Sequence, residues 1–596
     1  KNVGSGWEIN DLPALLRVTG WSLTYDVMSL FLLNLPFFIL LLLFQPFHLK
    51  GRVAVITAIF FTLLNTVAVL LNIADIFYYH FHLQRADADL LYVLQNPLSK
   101  TFRPHFFISI LTTAFCILLA IFIYHLIKKI IQHYKSGTVF IIIPVFITFL
   151  LALFLISGIR KAVPTYPLVN VTASQLPLTQ NSLHTFLYSI YRKNELTVNP
   201  LQYMSPEDAR KIFPLTRKIV PDSPGIKKNI VLFIMESIPE DFFNPGSRYK
   251  VSMPFLDSVV AKSTYFKNAY SYSHSSNNGI VAILAGLPTL TQIPVYHSGY
   301  TNIPFTHIGK KLSENNYSSS FFIGDHYDDF GFAKCCNWLG IKYHSMENVP
   351  GYKNMEKHAM GLHDEYMLSY VLQKSGEIKQ PFFITYFNIS THFPNTLPST
   401  FKEHLNEKNF TAEMKSMNYY SECLRSFFEA ALKKEWYKNS VFIFVADHWM
   451  CPDYRDVNLD VVESFHIPLF IYNPMQEIKT VVTKPVSQLD ILNTILSYTG
   501  SADSITSYGN QLDTTHTTGG TVFCKENSVL YEAIDSSYVL GFNVVTGLPE
   551  FCYNFRTDIK RKNNLVKQPG NERVQSLTLK MKAFLQVASS HYKGHL

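Results

Sequence analysis

Two short apolar runs in this sequence each end in side chains that bind metals. The run VFIFVADHWM at 441–450 leads into Asp447 and His448, and the run NIVLFIMES at 229–237 leads into Glu236. Carboxylate and imidazole groups together suit Zn²⁺ or Mn²⁺ better than Mg²⁺. One acid beside one histidine often serves only to orient the imidazole. Two such strand ends, if they converge, favour a site for one divalent ion.

A third segment offers a nucleophile. In SYSHSSNNGIVAILAGLP, 271–288, a Ser/Asn cluster precedes a stretch that reads as a buried helix, so Ser276 would lie near the N-terminus of that helix. Backbone N–H groups and the helix dipole favour an anion there. A hydroxyl bound to a divalent cation also loses its proton more readily and can attack. The alternative is that Ser275 or Ser276 only caps the helix, and composition does not decide between the two.

The elements that must position these residues alternate between strand and helix patterns after about residue 225. The strand-like runs are NIVLFIM, SSSFFIG, PFFITYFN, SVFIFVA and PLFIYN, and the helical stretches are 253–263, 306–315, 364–375 and 413–435. This alternation predicts an α/β domain with a mostly parallel central sheet. Sites in such sheets form outside the carboxyl ends of the strands, where Glu236, Asp325, His392 and the pair Asp447-His448 all fall. Antiparallel strands after about 520 and a helix over 571–590 are predicted to follow.

The first 160 residues are predicted to form an α-helical membrane domain. Only 16% of the residues are charged, whereas soluble proteins carry about 25%. Four apolar stretches approach the ~20 residues that cross a bilayer: 27–48, 53–77, 106–127 and 139–158. Lys and Arg in the first and third connecting loops place those loops in the cytoplasm, and everything after 160 outside. Because the chain begins with Lys1, one further span is expected before it.

Other features limit the possible partners and cofactors. Residues 161–224 are predicted to be a juxtamembrane connector, and 225–596 an extracytoplasmic domain. The net charge of +8 comes without Lys/Arg-rich runs, which argues against a nucleic acid partner. No C-x-x-C pair occurs, which argues against a cysteine zinc site. Cys524 and Cys552 could pair outside the cell, and free thiols fit equally well. Asp75, near the end of the second apolar stretch, is interpreted as a solvated helix end rather than a functional intramembrane acid.

The segments NIVLFIMES, SSNNGIVAILAGLP, THFP and VADHW follow the apolar stretches in this order. They resemble the lipoteichoic acid synthase-type branch of the alkaline phosphatase/sulfatase superfamily, nearly throughout the chain and most strongly over 228–500. Members of this branch resemble phosphoglycerol and phosphoethanolamine transferases, with membrane helices followed by a sulfatase-like domain. The resemblance implies a multi-pass protein of the bacterial cytoplasmic (inner) membrane whose catalytic domain is extracytoplasmic.

The resemblance also assigns roles to residues of the metal centre. Glu236, Asp447 and His448 resemble the metal ligands, and Ser276 stands where the family usually has a nucleophilic Thr that also binds the metal. His392 in THFP resembles the histidine that contacts the substrate phosphate and assists proton transfer.

Substrate contacts follow the family pattern less closely. Asp325 in GDHYDDF resembles an acid of the substrate pocket. Phe330 would replace a Trp that grips phosphoglycerol, and the Arg that accompanies that Trp is missing, with Lys334 as a partial substitute. His466 is a second candidate histidine on the substrate side, although a histidine before a strand is often structural. The sulfatase signature, Cys or Ser followed by x-Pro-x-Arg, is absent at Ser276, which argues against a formylglycine sulfatase.

Together these features predict a metal-dependent transferase at the outer face of the membrane. The donor would be a phospholipid carrying phosphoglycerol or phosphoethanolamine, and the acceptor a hydroxyl of a glycan or lipid, with a covalent phospho-Ser276 intermediate. Two alternatives remain. The first is a phosphodiesterase that uses water as acceptor. The second is a catalytically silent, membrane-anchored binding or assembly protein.

Overall fold

The chain divides into two compact units. The computed structural model describes residues 12–44, 52–82, 175–191, 202–243, 253–327, 329–401, 411–449, 462–477, 479–512, 520–559 and 561–594, with 85–87, 90, 118, 121, 122, 124, 125, 129, 167, 171 and 251 between them. The described residues up to 191 belong to one unit and those from 202 onward belong to the other.

The first unit is helical. Its helices are α1 (Leu12–Phe44), α2 (Arg52–His82), α3 (Leu176–Thr179) and α4 (Ser182–Tyr191). Helix α1 contains residues 27–44 of the first predicted apolar stretch, whose residues 45–48 lie outside the described part, and α2 contains all of the second. A side-chain hydrogen bond from Asn65 to Asn34 joins them at 2.8 Å. Of the described residues, one segment, Ile59–Ile76, is long and apolar enough to cross a membrane. The third predicted stretch is described only at scattered positions, and the fourth lies outside the described residues.

Asp75 corrects one prediction from the sequence. Its carboxylate is fully buried rather than solvated. It accepts hydrogen bonds from Arg85 Nη1 at 2.7 Å and from Ser182 Oγ at 2.6 Å, and also from the backbone N–H of Ala86. The sequence interpretation failed because Arg85 lies beyond the end of α2 and Ser182 is 107 residues away in the chain. A buried carboxylate paired in this way ties α2 to the start of α4.

The second unit is the α/β unit. Its helices are α5 (Pro206–Ile212), α6 (Pro254–Val260), α7 (Ser276–Ala285), α8 (Ile308–Glu314), α9 (Phe332–Leu339), α10 (Asp364–Glu377), α11 (Ala412–Ala431), α12 (Ile491–Ser497) and α13 (Glu572–Tyr592). Its first ten strands are β1 (Thr216–Ile219), β2 (Asn229–Met235), β3 (Thr264–Phe266), β4 (Ala269–Tyr270), β5 (Ser318–Ile323), β6 (Lys342–His344), β7 (Lys357–His358), β8 (Gly361–Leu362), β9 (Phe382–Phe387) and β10 (Ser440–Ala446). The later strands are β11 (His466–Ile467), β12 (Leu469–Tyr472), β13 (Thr480–Val482), β14 (Val486–Ser487), β15 (Asp503–Thr506), β16 (Val522–Lys525), β17 (Leu530–Ile534), β18 (Tyr538–Asn543) and β19 (Leu548–Asn554).

An eight-stranded sheet forms the centre of this unit, in the order β13-β3-β12-β10-β2-β9-β5-β6. Its pairs are parallel except those that β12 makes with β10 and β3, so the mostly parallel sheet is confirmed. Every residue of β2, β9 and β10 is buried, because both faces of a central parallel sheet are covered. Phe233 and Phe444 stack at 4.7 Å and both meet Phe428 of α11.

The carboxyl ends of β2 and β10 lie side by side. Ala446 is opposite Met235 in the parallel register, so the residues that follow each strand emerge at one edge. Strand β12 runs antiparallel to β10. Its beginning therefore lies near the same edge, as the hydrogen bond from the Ala446 N–H to the Pro468 carbonyl shows.

A four-stranded antiparallel sheet, in the order β16-β17-β18-β19, and helix α13 end the chain as predicted. Cys524 lies on β16 and Cys552 on β19, with two strands between them. Both are buried free thiols. Strands are ~4.8 Å apart within a sheet, so three such steps separate the two cysteines. The suggested disulfide is therefore wrong, and the free-thiol interpretation is correct.

Candidate metal and phosphoryl-transfer site

Glu236, Asp447 and His448 converge at the shared edge of β2 and β10. One ligand atom from each residue lies within 4.8 Å of the other two, and all three residues are buried. The Nε2 atom of His448 is 3.6 Å from Glu236 Oε1 and 3.5 Å from Asp447 Oδ2. The parallel pairing of the two strands explains this proximity, because each predicted ligand follows directly after its strand.

Ser237 joins the two carboxylates through its backbone N–H and its hydroxyl. Its φ of 60° places it in the left-handed region, and its N–H donates to Asp447 Oδ1 at 2.8 Å. Its hydroxyl donates to Glu236 Oε1 at 2.5 Å. On the other side, the Glu236 N–H donates to the side-chain oxygen of Asn388, just after β9, at 2.8 Å. Both carboxylates are thus held before any ligand arrives.

The charge balance of this group is unfavourable without a cation. Burial, and then the nearby Glu236 carboxylate, raise the pKa of Asp447 to about 7. Burial alone would lower the pKa of His448, but the carboxylates of Asp447 and Glu236 outweigh it and raise the pKa. A cation that binds between two buried carboxylates removes their mutual repulsion, so such a pair favours cation binding.

The donor set fits a divalent metal. Asp447 Oδ2 is buried and accepts no hydrogen bond from the described residues, which is costly unless another group binds it. The Nδ1 atom of His448 is 3.2 Å from the Trp449 carbonyl. Since a carbonyl can only accept, Nδ1 carries the proton, and Nε2 keeps its lone pair toward the two carboxylates. One nitrogen and carboxylate oxygens match Zn²⁺ or Mn²⁺.

Ser276 lies beside this group. It is the first residue of α7, and its Oγ is 3.3 Å from His448 Nε2 and 3.4 Å from Glu236 Oε2. The N-cap residue is Ser275, whose side chain makes no capping hydrogen bond. The capping alternative therefore does not account for Ser276, whose hydroxyl points to the predicted ligands instead.

His392 lies near the group as well, in the turn after β9. Its Nδ1 is 2.6 Å from the Phe393 carbonyl, so Nδ1 donates and the lone pair of the neutral ring is on Nε2. Burial lowers the pKa of His392, and the charges of His448 and Asp447 alter it further. A neutral imidazole with its lone pair on Nε2 can accept a proton there.

Asp325 and Phe330 lie in the loop after β5. Asp325 is 1% exposed, and burial together with the charge of Asp329 raises its pKa well above the usual range. Phe330 has a φ of 57°, unusual for a bulky side chain. Its carbonyl accepts from Tyr296 Oη at 3.5 Å, and the same hydroxyl is 2.5 Å from Asn277 Oδ1. Phe330 is thereby linked to the residue after Ser276.

His466 makes its contacts elsewhere in the described part of the chain, and the hydrogen bond to the Asp325 carboxylate likewise comes from within its own loop. The Nε2 atom of His466 is 2.7 Å from the Lys267 carbonyl, its Nδ1 is 3.8 Å from Glu240 Oε2, and its ring stacks on Tyr270. Its substrate role stays a prediction.

Sequence reasoning did not single out Ser237 and Asn388. Asn388 directly follows β9, and Ser237 is the second residue after β2. The polar residue next to each strand end was the signal that could have identified them.

Comparison with known proteins agrees with this architecture. Residues 228–501 match the sulfatase family model. The lipoteichoic acid synthase-like protein YvgJ of Bacillus subtilis (strain 168) is 20% identical over 239 residues, which are 37% of this chain and 37% of that protein. The lipoteichoic acid synthase of Staphylococcus aureus (strain USA300) is 23% identical over 275 residues, 41% of this chain and 40% of that protein. The match thus spans less than half the length of these curated relatives.

Solved structures show the same fold. A protein of the alkaline phosphatase superfamily from Vibrio parahaemolyticus superposes with a TM-score of 0.54 at 20% identity, over 64% of this chain and 91% of that one. The lipoteichoic acid synthase LtaP from Listeria monocytogenes superposes with a TM-score of 0.50 at 14% identity, over 65% of this chain and 98% of that one. At these identities the likeness concerns the fold alone.

Proposed function

Residues 228–501 form a sulfatase-family domain, and from this premise we propose that the chain is a metal-dependent phosphotransferase. It takes a phosphoglycerol or phosphoethanolamine head group from a phospholipid and passes it to a hydroxyl of a glycan or lipid. The observation that carries the proposal is the position of the Ser276 hydroxyl, 3.3 Å from His448 Nε2 and 3.4 Å from Glu236 Oε2. A hydroxyl in that position is a nucleophile next to a metal centre.

In this proposal each residue of the site has a separate role. Glu236, Asp447 and His448, with the Ser276 hydroxyl, would hold one Zn²⁺ or Mn²⁺. When bound, this ion lowers the pKa of the Ser276 hydroxyl and stabilises charge on the phosphoryl oxygens. Ser276 Oγ attacks the phosphorus, its proton leaves, and the bond from phosphorus to the diacylglycerol oxygen breaks. His392, in the turn after β9, takes up that proton and returns it to the diacylglycerol oxygen. The product is a phosphodiester on Ser276 together with free diacylglycerol.

In this proposal the helical unit anchors the protein in a membrane. Helices α1 and α2 expose large apolar side chains, among them Leu15, Leu30, Ile59 and Leu63, as a lipid-facing surface requires. In this proposal they belong to a multi-pass domain of the bacterial cytoplasmic (inner) membrane, and the sulfatase-family domain is extracytoplasmic. The reacting phosphate and the released diacylglycerol would then both stay at the membrane surface.

The substrate pocket would include Asp325 and Phe330, with His466 as a more distant candidate. Phe330 is linked through Tyr296 to Asn277, next to the nucleophile. Its ring is therefore a reasonable contact for the head group. Tyr296 is then a positioning residue between the two loops.

The test is the intact mass of the full chain in mixed phospholipids with Mn²⁺ or Zn²⁺, comparing the native sequence with Ser276→Ala. An adduct on the native protein that is absent from the variant supports the proposal, and its mass identifies the head group. Diacylglycerol release without an adduct indicates a phosphodiesterase with rapid turnover. Neither adduct nor release indicates a silent binding protein and overturns the proposal.

A further inference from the structure

The C-terminal part of the α/β unit carries most of the net positive charge of the chain. Residues 556–593 contain nine Lys and Arg residues and two acidic residues, a net charge of +7, whereas the whole chain carries +8. The proposed chemistry uses none of these side chains. They are spread along the sequence, so they form a binding surface only where the fold brings them together.

Helix α13 and the edge strand β19 bring several of these residues to one place. Arg573 lies over the ring of Tyr538 at the start of β18, at 5.4 Å, and Lys582 lies over the ring of Phe542 near its end, at 6.0 Å. Helix α13 therefore runs along β18 and reaches β19 beside it. Pro549 of β19 lines a groove together with five residues of α13: Val574, Gln575, Thr578, Leu579 and Lys582.

A second basic segment covers the outer edge of β19. Asn564 accepts a hydrogen bond from the Cys552 N–H at 3.0 Å and donates to the Glu550 carbonyl at 3.1 Å, which fixes the segment along the strand. Lys562 and Lys567, on either side of Asn564, are exposed. These two lysines and two residues of α13 form the basic face: Lys562, Lys567, Arg573 and Lys582.

The charges of the basic face are not neutralised within the described part of the chain. None of its four side chains forms an ion pair with a described residue. Among the neighbouring acids, Asp558 accepts from the Lys562 N–H at 3.0 Å, and Glu550 accepts from Asn543 Nδ2 at 2.6 Å. Glu572, in the first turn of α13, is exposed. The face therefore keeps a positive charge that an anionic partner can neutralise.

Apolar side chains are exposed among these charges, and they decide between two kinds of anionic partner. Leu548, Ile559 and Leu579 are 60%, 73% and 49% exposed. Leu579 lines the groove, and Leu548 directly precedes Pro549 of the groove. A soluble polyanion offers only its charged groups to such a surface. A bilayer offers anionic head groups to Lys and Arg, and a boundary of acyl chains to the apolar side chains.

The point where the chain enters the α/β unit also favours a bilayer. The described part of this unit begins at residue 202. The Tyr203 N–H donates to Gln586 Oε1 of α13 at 2.7 Å, and Lys582 Nζ lies 5.1 Å from the centroid of the Tyr203 ring. Covalent continuity thus connects this side of the α/β unit to the segment that the proposed function places in a membrane.

We propose that the basic face docks on the surface of an anionic bilayer. The inference rests on the membrane location in the proposed function. The four basic side chains contact lipid phosphates, and the three exposed apolar side chains enter the boundary between head groups and acyl chains. Salt weakens the electrostatic part of this contact. The contact gives the α/β unit an attachment to the membrane besides the polypeptide chain itself.

Photocrosslinking of the full chain in lipid nanodiscs tests the proposal. The discs contain phosphatidylcholine alone or with phosphatidylserine, which is anionic and is not one of the proposed donors. A trace lipid carries a diazirine close to its glycerol, and labelled peptides are identified by mass spectrometry. One variant removes three charges from the basic face, and a control variant removes three charges from exposed lysines that precede β10: Lys562→Gln, Lys567→Gln and Arg573→Gln, against Lys433→Gln, Lys434→Gln and Lys438→Gln.

We expect labelling of residues 545–582 in discs with phosphatidylserine, and about tenfold less in phosphatidylcholine alone and in the variant of the basic face, with native labelling in the control. Equal labelling of this segment in the two kinds of disc, or in the two variants, would overturn the inference. If soluble polyphosphate slows hydrogen exchange over 561–582 while phosphatidylserine adds no labelling, the partner is a soluble polyanion and the inference is wrong. Absence of label from α1 and α2 would overturn the membrane location itself, which is a different result.

Discussion

The carbonyl oxygen of Asp447 lies 2.3 Å from the position that a Cβ atom on Gly279 would take. Helix α7 therefore packs its first turn directly against the end of β10, and only a residue without a side chain allows that approach. The contact sets the distance between Ser276, one turn earlier, and the ligands on β10. Gly279 is thus a structural condition of the candidate site although it carries no functional group.

We expect Gly279→Ala to damage both the site and the fold. The methyl group would meet backbone rather than a flexible side chain, so α7 or the strand end must shift. Overpacking of this kind costs about 1–3 kcal/mol in the free energy of unfolding. Urea unfolding and metal content measured by elemental analysis would check both effects.

The matched control is Gly376→Ala. Gly376 lies in α10 with nothing within 4 Å of an added Cβ. Alanine there should stabilise the protein by about 0.5–1 kcal/mol, because it favours the helix over the unfolded chain. Equal unfolding energies for the two variants would contradict the steric argument.

Ser237→Gly tests whether the hydroxyl that bonds Glu236 tunes the metal centre. Glycine keeps the left-handed backbone and the N–H donated to Asp447, and removes only the bond to Glu236 Oε1. Loss of a hydrogen bond to a metal-binding side chain typically weakens metal affinity about 10–100-fold. Competition with a chelator of known affinity would measure the change. Native affinity in the variant would mean that Asn388 and the strand register alone fix Glu236.

Removal of the metal should lower the stability of the sulfatase-family domain. The buried charges of Glu236 and Asp447 would then oppose each other without compensation, and a ligand that binds only the folded state stabilises it by mass action. Dialysis against a chelator should therefore lower the melting temperature, and return of Zn²⁺ or Mn²⁺ should restore it. Asp447→Asn should show no response to either treatment. If the melting temperature of the native protein does not change on dialysis against the chelator, the result argues against a bound metal.

How far the sequence predicted this site depended on the range of each interaction. The convergence of Glu236, Asp447 and His448 was predicted because Glu236 and Asp447 directly follow apolar strands, and parallel strands bring their ends together. The partners of Asp75 were not, since Arg85 lies after the end of α2 and Ser182 begins α4, and they meet Asp75 only in the folded chain. The contact of His274 Nε2 with Glu526 Oε2, at 2.8 Å, was also missed, because 252 residues separate the two. Pairing by sheet register is visible in one sequence, whereas pairing by tertiary packing is not.

His358 provides the pH prediction. It is fully buried, and burial, followed by the charges of His392 and His363, lowers its pKa to about 3. In the unfolded chain a histidine has a pKa near 6.5. Above pH 6.5 the ring is neutral in both states and contributes nothing. Between pH 6.5 and about 3 only the unfolded chain binds the proton, so stability falls by ~1.4 kcal/mol for each pH unit.

His358→Asn should remove that acid sensitivity, because the amide does not titrate and its oxygen can still accept from the Met360 N–H as Nδ1 does. The loss in unfolding free energy from pH 6.5 to pH 5 should be smaller in the variant by ~2 kcal/mol. Replacement of the exposed His307 by Gln should leave the pH dependence as it is. If His358→Asn and the native protein lose stability in parallel over this interval, then other groups dominate the acid response and His358 must take up a proton within the fold. The pKa of His358 in the folded protein would then be close to its value in the unfolded chain, in contradiction to the prediction.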